Sequence, residues 1–348
     1  MKYEIDSPIF FKRNRVYRLY SGGKLFGDFF GDEGVDGQYP EEWVASAVKS
    51  IKPNRPPNEG MSIVEGTDIA LAELLETRGE EILGGAEDFG VLVKVLDSAI
   101  RLPSQVHPDK PFSKKYFGSG YGKTESWIVL GVRENPKLYF GFKEKMTPEE
   151  FLERVDAAEE KPEEFEKRMN AITPKVGDVF LIRPKIVHAI GAGCLILEVQ
   201  EPTDFTIISE SWCLGRKIDD TTRFLGLDKK GAMECFDFDT FGSDAVKKCA
   251  MTPRTLLEKN GVKIERLIGY DDTPCFAVNR FRLTGASAVL PSAPAIYIAT
   301  DGSGELSWGS KSRKFAKGDY FLLPHKLKGR ISVSGNIEFA ECLPPRSE

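Results

Sequence analysis

The chain holds only three histidines, His107, His188 and His325, so any histidine-dependent chemistry has few places to sit. Gln105 and His107 lie two residues apart, a spacing that puts both side chains on one face of a strand. Lys123 and Glu125 repeat that spacing at the head of Glu125-Ser126-Trp127-Ile128-Val129-Leu130, which reads as a following strand. An interior that received Gln105, His107, Glu125 and His188 would offer nitrogen and oxygen donors suited to Zn²⁺ or a neighbouring divalent metal. The same spacing equally describes four polar side chains satisfied by local hydrogen bonds. Glu198 and Gln200 share a strand face ten residues beyond His188, and a carboxylate that enters such a pocket is a candidate acid, base or orienting group. The loop Gly118-Ser119-Gly120-Tyr121-Gly122-Lys123-Thr124 is not a phosphate-binding P-loop, because Phe117 stands where glycine is required and a strand follows.

These residues need a β scaffold, and the pattern supplies one. Val91–Leu96, Ser104–His107, Glu125–Leu130, Asp178–Ile182 and Cys194–Val199 read as strands. Short strands at 295–299, 304–308 and 318–324 repeat the theme near the end of the chain, a spacing typical of an antiparallel barrel or jelly roll. Val176-Gly177-Asp178-Val179-Phe180-Leu181-Ile182-Arg183-Pro184 is echoed by Lys317-Gly318-Asp319-Tyr320-Phe321-Leu322-Leu323-Pro324, which predicts two related β units. Their histidines do not superimpose, so at most one unit holds a complete site. Helices are expected over 69–83, stopped by Gly84-Gly85, over 147–169 behind a Thr147-Pro148-Glu149-Glu150 capping box, and in a patch at about 244–259. Pro53 to Gly60 reads as surface loop.

Composition narrows the function classes. The 348 residues carry 48 Lys+Arg against 53 Asp+Glu, a net charge of −5, which argues against a nucleic-acid or polybasic membrane binder. No apolar run approaches the roughly 18 residues needed to span a bilayer, and Met1–Asp6 has no secretory pattern. The cysteines at 194, 213, 235, 249, 275 and 342 are widely spaced with no C-x-x-C pair, so they read as reduced thiols of a cytoplasmic protein.

Four ordered motifs together resemble the type I mannose-6-phosphate isomerases, zinc enzymes of the cupin family. They are Leu92–Asp97 leading into Gln105-Val106-His107-Pro108-Asp109, then Lys123-Thr124-Glu125-Ser126-Trp127, then His188-Ala189-Ile190, then Glu198-Val199-Gln200-Glu201-Pro202-Thr203-Asp204. Ser21–Leu25 and Glu41–Ser46 resemble the family's N-terminal elements more weakly. The resemblance implies a mainly β protein of two cupin-type jelly-roll barrels. Residues 1–240 would form the metal-binding domain, with a helical insertion at about 147–170, and residues 241–348 a cupin-like domain without a complete metal site. It implies one Zn²⁺ per chain on Gln105, His107, Glu125 and His188, with Lys123 lining the sugar-phosphate site and Glu198 as its carboxylate. The expected reaction interconverts mannose 6-phosphate and fructose 6-phosphate. Family members carry arginine four residues after the position of Asp204, whereas this chain has Ile208. Arg216 is the nearest downstream arginine to substitute, with Arg280 and Arg282 further along. That departure leaves open an isomerase of another sugar, or a carbohydrate-binding cupin without turnover.

Overall fold

The computed structural model describes residues 3–50, 55–157 and 162–346; Pro53 and Asn54 of the expected loop lie outside these. Sheets dominate, as the strand spacing predicts. A seven-stranded antiparallel sheet runs in the order Ala250–Met251, Val179–Ile182, Glu125–Val132, Cys194–Gln200, Leu92–Ser98, Glu41–Val44, Arg15–Val16. A five-stranded sheet runs Ile207–Ile208, Gln105–Val106, His188–Ile190, Leu138–Phe142, Met169–Ile172. Between the two lies a core that includes Leu96, Trp127, Val129, Phe140, Phe180, Ile190 and Ile196.

Strand alternation decides what each face meets. Val93, Val95, Leu195, Leu197 and Val199 point the other way, into a core shared with Phe276, Val278, Ile296, Ile298 and Leu322 of an eight-stranded sheet. That third sheet curls over its own core, in which Phe281, Tyr297, Phe315, Phe321 and Phe339 pack among aliphatic side chains. Pairing crosses the expected division at residue 240 in both directions. Ile9–Phe10 pairs with Phe321 and Leu322, and Ala250–Met251 pairs with Val179 and Phe180.

The internal echo is a structural repeat. Gly177 and Gly318 both adopt positive φ, 93° and 85°. Asp178 Oδ2 accepts from the Lys175 amide at 2.8 Å, and Asp319 Oδ2 accepts from the Ala316 amide at 2.9 Å, so the same Asp-closed turn precedes each four-residue strand.

Helices depart from expectation in instructive ways. The first spans Leu71–Leu83 and ends at Gly84 in the left-handed conformation, as the glycine pair predicts. Thr147 and Glu150 form the expected capping box, each accepting from the other's amide. The run behind it is two helices, Pro148–Ala157 and Pro162–Lys167, with 158–161 outside the described residues. Their Phe151, Val155 and Phe165 pack with Val106, Tyr139 and Ile207 on the outer face of the five-stranded sheet. The patch expected as helix at 244–259 is helix only over Gly242–Cys249; Arg254–Lys259 is an exposed edge strand. Asn260-Gly261 decides this, since both have positive φ and close a two-residue hairpin that pairs Lys259 with Val262. Likewise, the segments expected at 295–299 and 304–308 are one strand, Ala295–Trp308, with an irregularity near Ala299.

Cys194, Cys235, Cys249, Cys275 and Cys342 are buried free thiols. No helix among the described residues is long and apolar enough to cross a membrane.

Candidate metal centre

Both sheets of the first barrel send polar side chains to one place. From the five-stranded sheet, His188 pairs directly with Gln105, and Gln105 Nε2 lies 3.5 Å from His188 Nε2. From the seven-stranded sheet, Glu125 pairs with Gln200, and Trp127 Nε1 donates to Glu125 Oε2 at 3.2 Å. His107, Glu125 and His188 are fully buried, and each presents a donor atom within 4.8 Å of the others.

The imidazoles are held so that their lone pairs meet. His107 Nδ1 lies 2.8 Å from the Phe205 carbonyl oxygen, and His188 Nδ1 lies 2.8 Å from that of Ile186. Each Nδ1 must carry the proton to donate there, which leaves both Nε2 atoms as bare acceptors 3.1 Å apart. Burial and the Lys123 charge hold His107 below its usual value, and burial with His107 pushes His188 down to about 3. Neither ring then takes a proton near neutrality to bridge the gap. Glu125 Oε1 stands 3.1 Å from His107 Nε2, and its charged surroundings, the Lys123 ammonium foremost, outweigh its burial and hold its carboxyl well below its ordinary value. Two facing lone pairs beside a carboxylate need a positive charge between them. The Lys123 ammonium provides one, 2.8 Å from Glu125 Oε1 and 3.2 Å from His107 Nε2. This nitrogen and oxygen set, oriented through Nδ1, fits a divalent cation of the zinc class.

A second group of charges continues across the same sheet face. Lys94 Nζ donates to Glu198 Oε1 at 3.0 Å and to Gln200 Oε1 at 2.6 Å. Burial, reinforced by Glu125, pushes Glu198 up to about 7, while Glu198 and Glu41 outweigh burial and hold Lys94 above its usual value. Glu41 accepts from Arg18 Nε at 2.8 Å, Tyr20 Oη at 2.6 Å and Trp43 Nε1 at 2.7 Å. Glu41-x-Trp43 thus builds the carboxylate–indole pair that Glu125-x-Trp127 builds at the cluster. Lys94 lies inside the Leu92–Asp97 motif without an assigned role, and no motif includes Arg18. A physical signal was Lys94 itself, a lone charge inside Leu92-Val93-Lys94-Val95-Leu96 that must be paired if the strand is buried.

The expected residues divide cleanly. Gln105, His107, Lys123, Glu125 and His188 come together, and Glu198 joins them through Lys94 and Gln200 on the same sheet face. Arg216 does not: it is exposed on a two-residue strand of a hairpin, opposite Cys213, and among the described residues it makes no hydrogen bond or ion pair with the cluster. Arg280 and Arg282 pair with Glu265 and Glu338 in the third sheet. Ile208 pairs with Gln105, so its side chain lies on the same face as Gln105 and His188. His325 is exposed in a turn against Gly84.

No family model matches the chain. Curated relatives cover almost all of it. A mannose-6-phosphate isomerase of Streptococcus mutans is 28% identical over 338 residues, 95% of this chain and 96% of the relative. One of Bacillus subtilis is 26% identical over 347 residues, 97% of this chain and 98% of the relative. Among solved structures, the mannose 6-phosphate isomerase from Bacillus subtilis superposes with a TM-score of 0.76 at 23% identity, covering 97% of this chain and 99% of that one. A phosphomannose isomerase variant from Salmonella typhimurium gives a TM-score of 0.73 at 14% identity, over 98% of this chain and all of that one. The chain is thus similar in sequence to mannose-6-phosphate isomerases over nearly its whole length and shares the fold of their solved structures.

Proposed function

We propose that the protein is a zinc-dependent aldose–ketose isomerase that interconverts mannose 6-phosphate and fructose 6-phosphate by proton transfer through an enediol. The observation that carries this reading is the buried His107–Glu125–His188 cluster with Lys123 at its side and a carboxylate poised near neutrality on the same face. Gln105, His107, Glu125 and His188 would hold the zinc. When bound, zinc supplies a Lewis acid that polarises the sugar's carbonyl or adjacent hydroxyl oxygen. Trp127 and the Phe205 and Ile186 carbonyls orient the ligands. Glu198 has both protonation states available near pH 7, which suits a group that takes a proton from one sugar carbon and returns it to the next. Lys94 fixes its position, and the Lys123 ammonium supplies a hydrogen-bond donor and positive charge for a developing oxyanion.

We assign these roles to residues 1–240, and to 241–348 a second cupin-like unit without a complete metal site, its core built on Phe281, Tyr297, Phe315, Phe321 and Phe339. A phosphorylated, membrane-impermeant substrate fits a cytoplasmic location. One observation favours a second reading, an isomerase of a different sugar phosphate: Ile208, opposite Gln105, puts an apolar side chain on the site's own face. Turnover of mannose 6-phosphate by zinc-supplemented protein, followed as fructose 6-phosphate by NMR, separates the two. Chelator-sensitive product is expected. Bound zinc with no product from mannose 6-phosphate would discard the first reading.

A further inference from the structure

Three consecutive residues tie the cluster to the far end of the charged row. The Phe205 carbonyl meets His107, Thr206 Oγ1 lies 3.3 Å from Lys123 Nζ, and Asp204 Oδ1 lies 3.8 Å from Arg18 Nη2. Arg18 is buried, and most of its guanidinium is engaged. Its Nε donates to Glu41 at 2.8 Å, and Nη1 lies 3.3 Å from both the Tyr17 carbonyl and Ser50 Oγ. Among the described residues no hydrogen bond ends on Nη2, and the Asp204 carboxylate is beyond hydrogen-bond reach. Its flat face sits 5.2 Å from the Trp43 ring centroid, and Lys94 takes the same ring at 5.4 Å. The guanidinium is therefore fixed in place, with Nη2 turned toward Asp204 at the start of the Asp204–Thr206 strap and making no hydrogen bond among the described residues.

Spacing and chemistry then agree. From the Glu125 strand to the Glu41 strand is three steps of the sheet, roughly 14 Å at about 4.8 Å per step. Arg18 reaches back over part of that distance to Asp204. A phosphorylated sugar with its carbonyl end at the cluster would carry its anionic end in this direction. Lys94 spends its ammonium on Glu198 and Gln200, whereas Arg18 Nη2, 3.8 Å from Asp204, makes no hydrogen bond among the described residues and keeps a charged N–H donor of the kind phosphate takes. Resting on the isomerase reading above, we propose that Arg18, from the N-terminal segment, binds the phosphate group of the sugar phosphate through Nη2.

The test is Arg18→Gln and Arg18→Lys, with circular dichroism to establish folding. Two constants are read: KM for mannose 6-phosphate, and the calorimetric dissociation constant for inorganic phosphate, with and without zinc. Arg18→Gln should weaken both by roughly 10- to 100-fold, the range for a lost charge-assisted hydrogen bond, with Arg18→Lys in between. Should Arg18→Gln fail to fold, Arg18→Lys carries the test, since its ammonium can keep the Glu41 ion pair while losing the Nη2 edge. A folded variant with both constants unmoved overturns the assignment, even if the wild type converts mannose 6-phosphate. Wild-type protein that converts none of it, while the variant still loses phosphate binding, overturns the isomerase reading and leaves Arg18 as an anion ligand.

Discussion

His107 and His188 are neutral acceptors because of what surrounds them. Each Nδ1 is tied to a backbone carbonyl, and burial disfavours the imidazolium. Glu125 supplies the negative charge by which the trio would hold a cation. Glu125→Gln keeps the shape and removes that charge, and His188→Ala removes a donor. Each is expected to lower bound zinc to well below one per chain by elemental analysis, and to reduce turnover by about two orders of magnitude or more. Full metal content in either variant would mean that the ion sits elsewhere. For Gln105, His107 and Glu125 the i, i+2 spacing showed in sequence only a shared strand face; their choice as ligands came from the resemblance of four ordered motifs. Arg18 was not legible in sequence, because its proximity to Asp204 depends on an N-terminal segment folding onto a strand-to-strand loop 186 positions later, and no local spacing encodes that.

Trp43 is the element-scale support for the charged row, since both Arg18 and Lys94 lie over it. Its ring is also packed against Gly60, which has φ +94°; a Cβ there would meet ring atoms at 2.7 and 2.8 Å. Gly60→Ala therefore combines an unfavourable backbone conformation with a clash against a fully buried indole. It should cost about 1–3 kcal/mol in denaturant unfolding and raise KM more than an exposed control such as Gly31→Ala, whose Cβ meets nothing within 4 Å. Equal KM values in the two variants would detach Trp43 from the site. The same scale explains why Arg254–Lys259 is strand. Its residues have no strong helical veto, but the Asn260-Gly261 turn folds them back along Val262–Ile268.

Across the molecule, buried charge makes stability depend on pH. Arg18 and Lys94 outweigh burial and hold the Glu41 carboxyl far below its ordinary value of 4.5. A depressed carboxyl contributes stability above its unfolded-state value and loses it as pH falls toward its folded-state value. The wild type should therefore lose stability steeply below about pH 4.5. Glu41→Gln, which leaves two buried cations under-paired, should be less stable at pH 7 by about 3 kcal/mol or more, with a flatter decline from pH 6 to pH 3. Parallel curves for the two proteins in urea unfolding would show that Glu41 is not the source of the acid sensitivity.

By itself the sequence determined the β character of the chain, the repeated Gly-Asp turn, the capping box at Thr147 and the shared strand face of Gln105 and His107. These rest on local rules: side-chain period, turn conformation and end capping act over a few residues. Only the tertiary structure decided which sheet face each strand buries, that the third sheet closes over an apolar core of its own, that Arg216 stands away from the cluster, and that Arg18 and Lys94 share Trp43. Those outcomes depend on pairings between distant strands, where burial and charge compensation are settled by the whole fold.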